Sequence, residues 1–439
     1  MSHKQNPALN QSGSGADMQQ NVIGRSVPRI DAPDKARGTA QYTADMKLPG
    51  MLYGKLLRSP VPHARIKNID ISKAAALPGV KDVVIGKDTP GIKYGNWRLF
   101  PQTQDEFPLA MDKVRFIGDE VAAVAAIDLD IAEEAISLIH VEYEELPAVF
   151  SIDEALAQGA PLIHDEIDQL EGNISIDRKI DVGDIDKAFA KADLILEDNF
   201  TLHAVSHAYL EPCAALAQPD TEGRLTLWTS TQAPYIVQCL LASTLGLPEN
   251  YIRVIKPYVG GGFGGKMELR SWEFCAAFMA KRTGRPVKFV LSRAEEFSTG
   301  RTRHAMKVHS KVGFKKDGTL VAKDFEAYLD GGAYNSMGPT ATFLCGNFGA
   351  MLYRYPAYRY RGYHVYTNKT PAGAMRGFGA PQALYVSETQ MNIAAKELNI
   401  DPIDLRIKNA MVTGDTIEGV FFLETFALLN DGSQQLPGK

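Results

Sequence analysis

Hydrophobic and polar positions along this chain follow two rhythms. A period of two marks candidate strands over 51–59 (MLYGKLLRS) and 224–231 (RLTLWTST). Spacings of three and four mark helices over 129–139 (LDIAEEAISLI) and 234–246 (PYIVQCLLASTLG), the latter with Pro234 in its first turn and Gly246 at its end. The stretch 114–128 (VRFIGDEVAAVAAID) reads as a turn at Gly118 leading into a buried strand, and HVEYEELP adds a strand closed by Pro147. MKVHSKVGF and TLVAKDFEAYLD flank Lys315, Lys316, Asp317 and Gly318, which is a hairpin signal.

The order of these elements predicts an α/β (α+β) protein. Residues 21–148 read as a small compact α/β domain. Residues 149–181, richer in Asp, Gly and Pro, read as a connector over the surface, and 182–439 as a larger mixed domain. The first twenty residues are polar and rich in Gly, Ser and Gln, and read as a disordered N-terminus. No internal repeat is visible.

Composition narrows the function classes. The chain has 439 residues, 45% hydrophobic and 23% charged, with 47 basic against 52 acidic residues. That near balance gives no electrostatic footprint for nucleic acid or an anionic membrane. No basic segment followed by an apolar core opens the chain, and no long apolar run occurs, so a cytoplasmic protein without a membrane span is expected. Cys213, Cys239, Cys275 and Cys345 form no C-x-x-C pair, so an iron–sulfur cluster or structural zinc is not expected on this chain. His203 and His207 stand four apart, a metal spacing if helical, but no acidic residue lies between them and both read as structural.

The densest chemical signal is YVGGGFGGKMELR, five glycines in six positions, set between a strand at 251–258 and a helix expected over 268–282. Glycine this dense lets something approach the backbone closely, and amides at a helix start favour an anion. The run matches both G-x-G-x-x-G and most of a P-loop, so neither pattern is selective. Met267 stands where a P-loop needs a hydroxyl, and the acid a dinucleotide site needs is displaced to Glu295. A second loop of the same type, AMRGFGA (374–380), runs into Pro381 and another helical pattern. Two Gly-Phe-Gly turns, each leading towards a helix, predict two walls around one large ligand.

Five stretches in order carry a family resemblance: 36–66 (ARGTAQYTADMKLPGMLYGKLLRSPVPHARI), 207–212 (HAYLEP), 229–232 (TSTQ), 260–266 (GGGFGGK) and 375–382 (MRGFGAPQ). Together they resemble the molybdenum-binding large subunit of the xanthine oxidase family of molybdenum hydroxylases. The likeness covers residues 21 to about 413 and implies a hammerhead-like domain followed by the first half of a molybdopterin-binding domain. The cofactor implied is molybdenum–molybdopterin, in its cytosine dinucleotide form, with iron–sulfur clusters and FAD on partner chains. The reaction implied is oxidation of an electron-poor carbon with water as oxygen source.

The resemblance also assigns residues. Gln232 would donate its amide to the metal's apical oxygen. Gly262, Gly264 and Gly265 would bring main-chain amides to the cofactor, Phe263 would border the metal, and Arg376, Gly377 and Phe378 would close the site from the second loop. Gln232, Phe263 and Arg376 surround the metal in this reading without ligating it. Xanthine-type members place a glutamate directly after GGK; here Met267 intervenes and Glu268 comes one position late, about 100° around a helix. Glu268 is therefore only a secondary candidate for substrate contact, and a neutral aromatic or heteroaromatic substrate is expected instead of a purine. No Gly-Glu-Pro-like motif follows Arg376, so no catalytic residue is assigned to this chain and the base glutamate is expected on a partner. Some members split the molybdenum subunit over two polypeptides, which makes a second molybdenum-subunit chain, an iron–sulfur subunit and an FAD subunit the expected partners. The alternatives are a reductive member acting on an aryl-CoA thioester and a truncated, non-catalytic assembly paralogue.

Overall fold

The computed structural model describes residues 24–95, 103–167 and 170–412. The expected disordered residues 1–20 and the tail after 413 lie outside the described residues. Contacts divide the chain into a short unit ending at Gln41 and a large one from Tyr42. Within the first, the helix Ala32–Arg37 ends on Gly38 in the left-handed region, φ 72°.

The larger unit is built on two main sheets. The seven-stranded sheet runs, in spatial order, Ile252–Ile255, Leu225–Thr229, Ala214–Pro219, Val287–Val290, Leu52–Arg58, Glu120–Ala126, Val80–Ile85. Leu52 pairs in parallel with Val287, so strands from before and after residue 148 share one sheet. The sequence expectation of a separate small domain thus meets a continuous hydrogen-bonded ladder. Glu120–Ala126 is buried at every position, as a strand flanked on both edges and covered on both faces must be. Its alanines leave room for the helix Leu129–Ser137, whose N-cap Asp128 accepts from the Ile131 amide at 2.8 Å.

The five-stranded sheet runs Ile174–Val182, Tyr358–Tyr366, Leu320–Gly332, Ala305–Phe314, Leu194–Leu202. The expected hairpin forms, with Lys315 accepting from Gly318 at 2.8 Å and Gly318 at φ 85°. The helices Gly338–Ala350 and Ala380–Leu398 cover this sheet and share a core with Phe325, Tyr358 and Tyr360. A three-stranded sheet joins Lys113–Val114, Ala64–Asp70 and His140–Glu145.

The stretch expected as a surface connector contains the helix Ile152–Leu156 and the strand Ile174–Val182, with Ile163, His164 and Asn173 buried. Its polar residues serve the interior: Asn173 accepts from the Ile163 amide and donates to the carbonyls of Ala155 and Pro161. Among the described residues no helix is long and apolar enough to cross a membrane.

Candidate functional site

The first glycine loop follows the strand Ile252–Ile255 but does not open a helix. The next helix, Ser271–Thr283, begins five residues beyond Lys266, which corrects the expected start at 268. Its N-terminus is closed internally, because the buried Glu273 carboxylate accepts from the Arg270 amide and the Thr229 hydroxyl. Burial pushes the Glu273 carboxyl up to about 7. The anion-at-helix-start expectation therefore fails for this loop. It holds better for the second, where Gly379, φ 82°, caps the helix Ala380–Leu398 and Pro381 sits in the first turn.

The two loops meet. The Arg376 amide donates to the Phe263 carbonyl at 2.9 Å, and a Cβ on Gly264 would lie 2.5 Å from the Ala374 carbonyl oxygen. Each loop has a phenylalanine in the left-handed region, Phe263 at φ 51° and Phe378 at φ 45°. Such backbone costs about 1–3 kcal/mol per non-glycine residue, and its presence in both turns marks a site held by its surroundings. Phe263 is half exposed, while Phe378 is half-buried behind Gly377.

Gln232 sits beside the first loop, at the end of the strand Leu225–Thr229. Its main-chain N–H donates to the Lys266 carbonyl at 2.7 Å, and its side-chain Oε1 accepts from the Gly264 amide at 2.8 Å. With Oε1 held by the loop, Nε2 is left as a donor without a partner among the described residues. A Cβ on Gly262 would collide with this same amide. Glycine at 262 and 264 is thus required by close approach, and at 264 also by φ 105°.

Lys266 does not point into the site. Its buried ammonium donates to the Glu211 carbonyl at 2.8 Å and to Glu211 Oε2 at 2.9 Å, and lies over the Tyr209 ring. Glu211 Oε2 also accepts from the Gly260 amide at 2.6 Å, so the HAYLEP stretch clamps the loop from behind. His207, from the same stretch, bridges the loops. Its ring nitrogens face the Arg301 carbonyl at 3.1 Å and the Ala374 carbonyl at 2.7 Å. Burial holds its pKa below the ordinary value although both carbonyls pull it up. His203 is exposed and the stretch is not helical, so the two histidines share no face.

A cavity of about 720 Å3 opens at the junction, lined by His207, Phe263, Arg303, Phe348, Arg376 and Leu384 among others. Arg303 was not legible as a site residue. It donates to the Arg376 carbonyl at 2.8 Å and to Gln382 Oε1 at 3.2 Å, and so holds the second loop from below. Its signal, the basic run at 301–304, reads in sequence as a solvated face. Glu268 is brought close but is engaged internally: Oε1 accepts from Ser336 Oγ at 2.5 Å and Oε2 pairs with Arg301 Nε at 3.4 Å. Among the described residues no group of three or more His, Cys, Asp or Glu could hold a metal ion.

The site therefore offers an outward amide donor, a glycine cradle, a guanidinium and an apolar wall, a set suited to a large anionic cofactor that brings its own metal ligands. Comparison with known proteins gives the same class. Residues 164–410 match the model of the molybdopterin cofactor-binding domain, and 37–147 that of the aldehyde oxidase and xanthine dehydrogenase a/b hammerhead domain. The chain belongs to the xanthine dehydrogenase family of molybdenum-dependent oxidoreductases, as part of the molybdenum-binding subunit. It is 39% identical over 431 residues to the nicotinate dehydrogenase large molybdopterin subunit of Eubacterium barkeri, covering 97% of this chain and 99% of that one. It is 36% identical to the putative xanthine dehydrogenase molybdenum-binding subunit XdhA of Escherichia coli, covering 88% of this chain but 52% of that one. Among solved structures, quinoline 2-oxidoreductase from Pseudomonas putida 86 superposes with a TM-score of 0.84 at 35% identity, covering 90% of this chain and 50% of that one. The chain thus spans one of these relatives in full and about half of the other two.

Proposed function

We propose that this chain is the first half of a split molybdenum subunit, completed by a second polypeptide, in a cytoplasmic hydroxylase of heteroaromatic rings. The observation that carries the reading is the junction of two glycine loops that hydrogen-bond to each other, with the exposed Gln232 held beside them by the Gly264 amide. The full-length match to the large subunit named for nicotinate, and the fold match to a quinoline enzyme, support an electron-poor nitrogen heterocycle as substrate. When bound, molybdenum–molybdopterin in its cytosine dinucleotide form supplies the redox chemistry, with iron–sulfur clusters and FAD on partner chains taking the electrons.

The chain's own residues supply placement and field. Gln232 offers a neutral N–H to an oxygen at the metal without adding charge. The amides of the glycine loops line the cofactor, and Arg376 offsets its negative charge with a fixed guanidinium. Phe263 keeps water from the reacting side. No carboxylate lines the cavity among the described residues, which supports a base glutamate carried by the partner chain.

Purification of the native complex tests this. It is expected to contain molybdenum, iron and flavin and to oxidise nicotinate or quinoline rings, while this chain alone shows no turnover. An intact complex without molybdenum would favour an assembly paralogue. Preferential turnover of xanthine would refute the substrate class, and reduction of an aryl-CoA thioester would reverse the direction.

A further inference from the structure

Behind the loops lies a buried cluster that the proposed chemistry does not use. Arg301, 3% exposed, sits between two carboxylates: its Nη2 bonds Glu106 and its Nε pairs with Glu268 at 3.4 Å. The other Glu268 oxygen accepts from Ser336 Oγ at 2.5 Å. Ser336 is itself in the left-handed region at φ 46°, a conformation its surroundings must hold. Gly373 closes the group, since a Cβ there would lie 2.7 Å from Ser336 Oγ and 3.0 Å from Glu268 Oε1.

The position of this cluster along the chain gives it meaning. Glu268 stands two residues past Lys266, whose carbonyl accepts from the Gln232 amide and the Thr231 hydroxyl. Gly373 stands just ahead of Ala374, whose carbonyl is packed against Gly264 and accepts from His207. The Arg301 carbonyl faces the other His207 nitrogen at 3.1 Å. One carboxylate thus touches the exit of the first loop and the entry of the second. A half-buried carboxylate that accepts from a hydroxyl and stands 3.4 Å from a buried guanidinium is a restrained connection, because loss of either partner leaves a charge or donor unpaired.

We propose that Glu268 is a positioning residue, tied through Ser336 and Arg301, that locks the two glycine loops in register and so fixes the outward amide of Gln232. This goes beyond the cofactor reading and can be measured without it. It also separates Glu268 from substrate contact, since Oε1 accepts from Ser336 and Oε2 faces Arg301.

Backbone hydrogen exchange in the native complex tests the proposal at two amides, Gly264 on the Gln232 oxygen and Arg376 on the Phe263 carbonyl. Glu268→Ala is expected to speed exchange at both by about tenfold, and Ser336→Ala, which leaves the carboxylate in place, to do the same at both to a smaller degree. Glu268→Gln keeps the shape and the Ser336 acceptor while losing the ion pair, and is expected to fall between wild type and Glu268→Ala, so the comparison survives if the alanine variant fails to assemble. In turnover assays, molybdenum content and kcat would fall with KM within twofold. Unchanged exchange at either loop in Glu268→Gln and Ser336→Ala would overturn the proposal, as would a tenfold rise in KM at full molybdenum content. A wild-type complex lacking molybdenum would sink the cofactor reading alone, because the exchange result does not depend on it.

Discussion

Gln232 shows how one side chain can be legible in type and not in posture. Its place at a strand end beside the glycine loop was readable, but which end of the amide faces outward was not. That depends on the Gly264 amide, which lies 32 positions along the chain and captures Oε1. The two ends can be separated experimentally. Gln232→Glu keeps an oxygen for the Gly264 amide and removes the outward donor; kcat per molybdenum is expected to fall about 10²-fold with little loss of metal, as for other single donors to a developing charge. An equal fall in metal content and activity would mean that Gln232 only holds the loop. Histidine gives a second prediction at this scale. His364 is fully buried, touches Ser175 Oγ at 2.6 Å and His304 ring to ring, and burial lowers its pKa from 6.5 to about 3. Its neutral form is the one the fold accommodates, so the stability it contributes is present above pH 6.5 and is lost as pH falls from there towards 3, on the order of 5 kcal/mol in all. Melting curves of the complex between pH 7 and 4.5 are expected to be flatter for His364→Gln than for wild type; parallel curves would contradict this.

Elements with strong periodicity were readable. The helix Pro234–Leu245 ends on Gly246, and the helix Ala380–Leu398 starts at its proline, as the sequence rules for helix ends require. The misreadings share one cause: local polarity that tertiary contacts absorb. The helix after the first loop starts late because Glu273 reaches back to cap the amide of Arg270, which is extended at φ -130° and ψ 160°. The polar stretch 149–181 stays largely at the surface but is anchored inward where Asn173 supplies hydrogen bonds to three other residues of that stretch. The two loops carry the sharpest test at this scale. Gly264→Ala adds a methyl 2.5 Å from the Ala374 oxygen at φ 105°, and is expected to cost about 2–3 kcal/mol and to lower molybdenum retention. Gly223→Ala, at φ 80° with open space around it, carries the backbone penalty alone and is expected to cost about 1 kcal/mol with retention intact. Equal losses in the two variants would mean that the contact between the loops contributes nothing.

At the scale of the molecule, the division near residue 148 agrees with the two matched domains, 37–147 and 164–410, while one sheet runs across it. The parallel pairing of Leu52–Arg58 with Val287–Val290 links residues more than two hundred positions apart, and no periodicity records such a partner. The five ordered motifs were the stronger guide, because two of them, 260–266 and 375–382, meet at one junction and a third, 207–212, clamps the first loop from behind. That this junction holds molybdenum is the central claim. Crystals of the native complex, measured at the molybdenum absorption edge, test it most directly: one anomalous peak is expected beside Gln232 Nε2 and the Phe263 ring, between the two glycine loops. A fully assembled complex whose molybdenum peak lies away from both loops, or which shows none, would contradict the account.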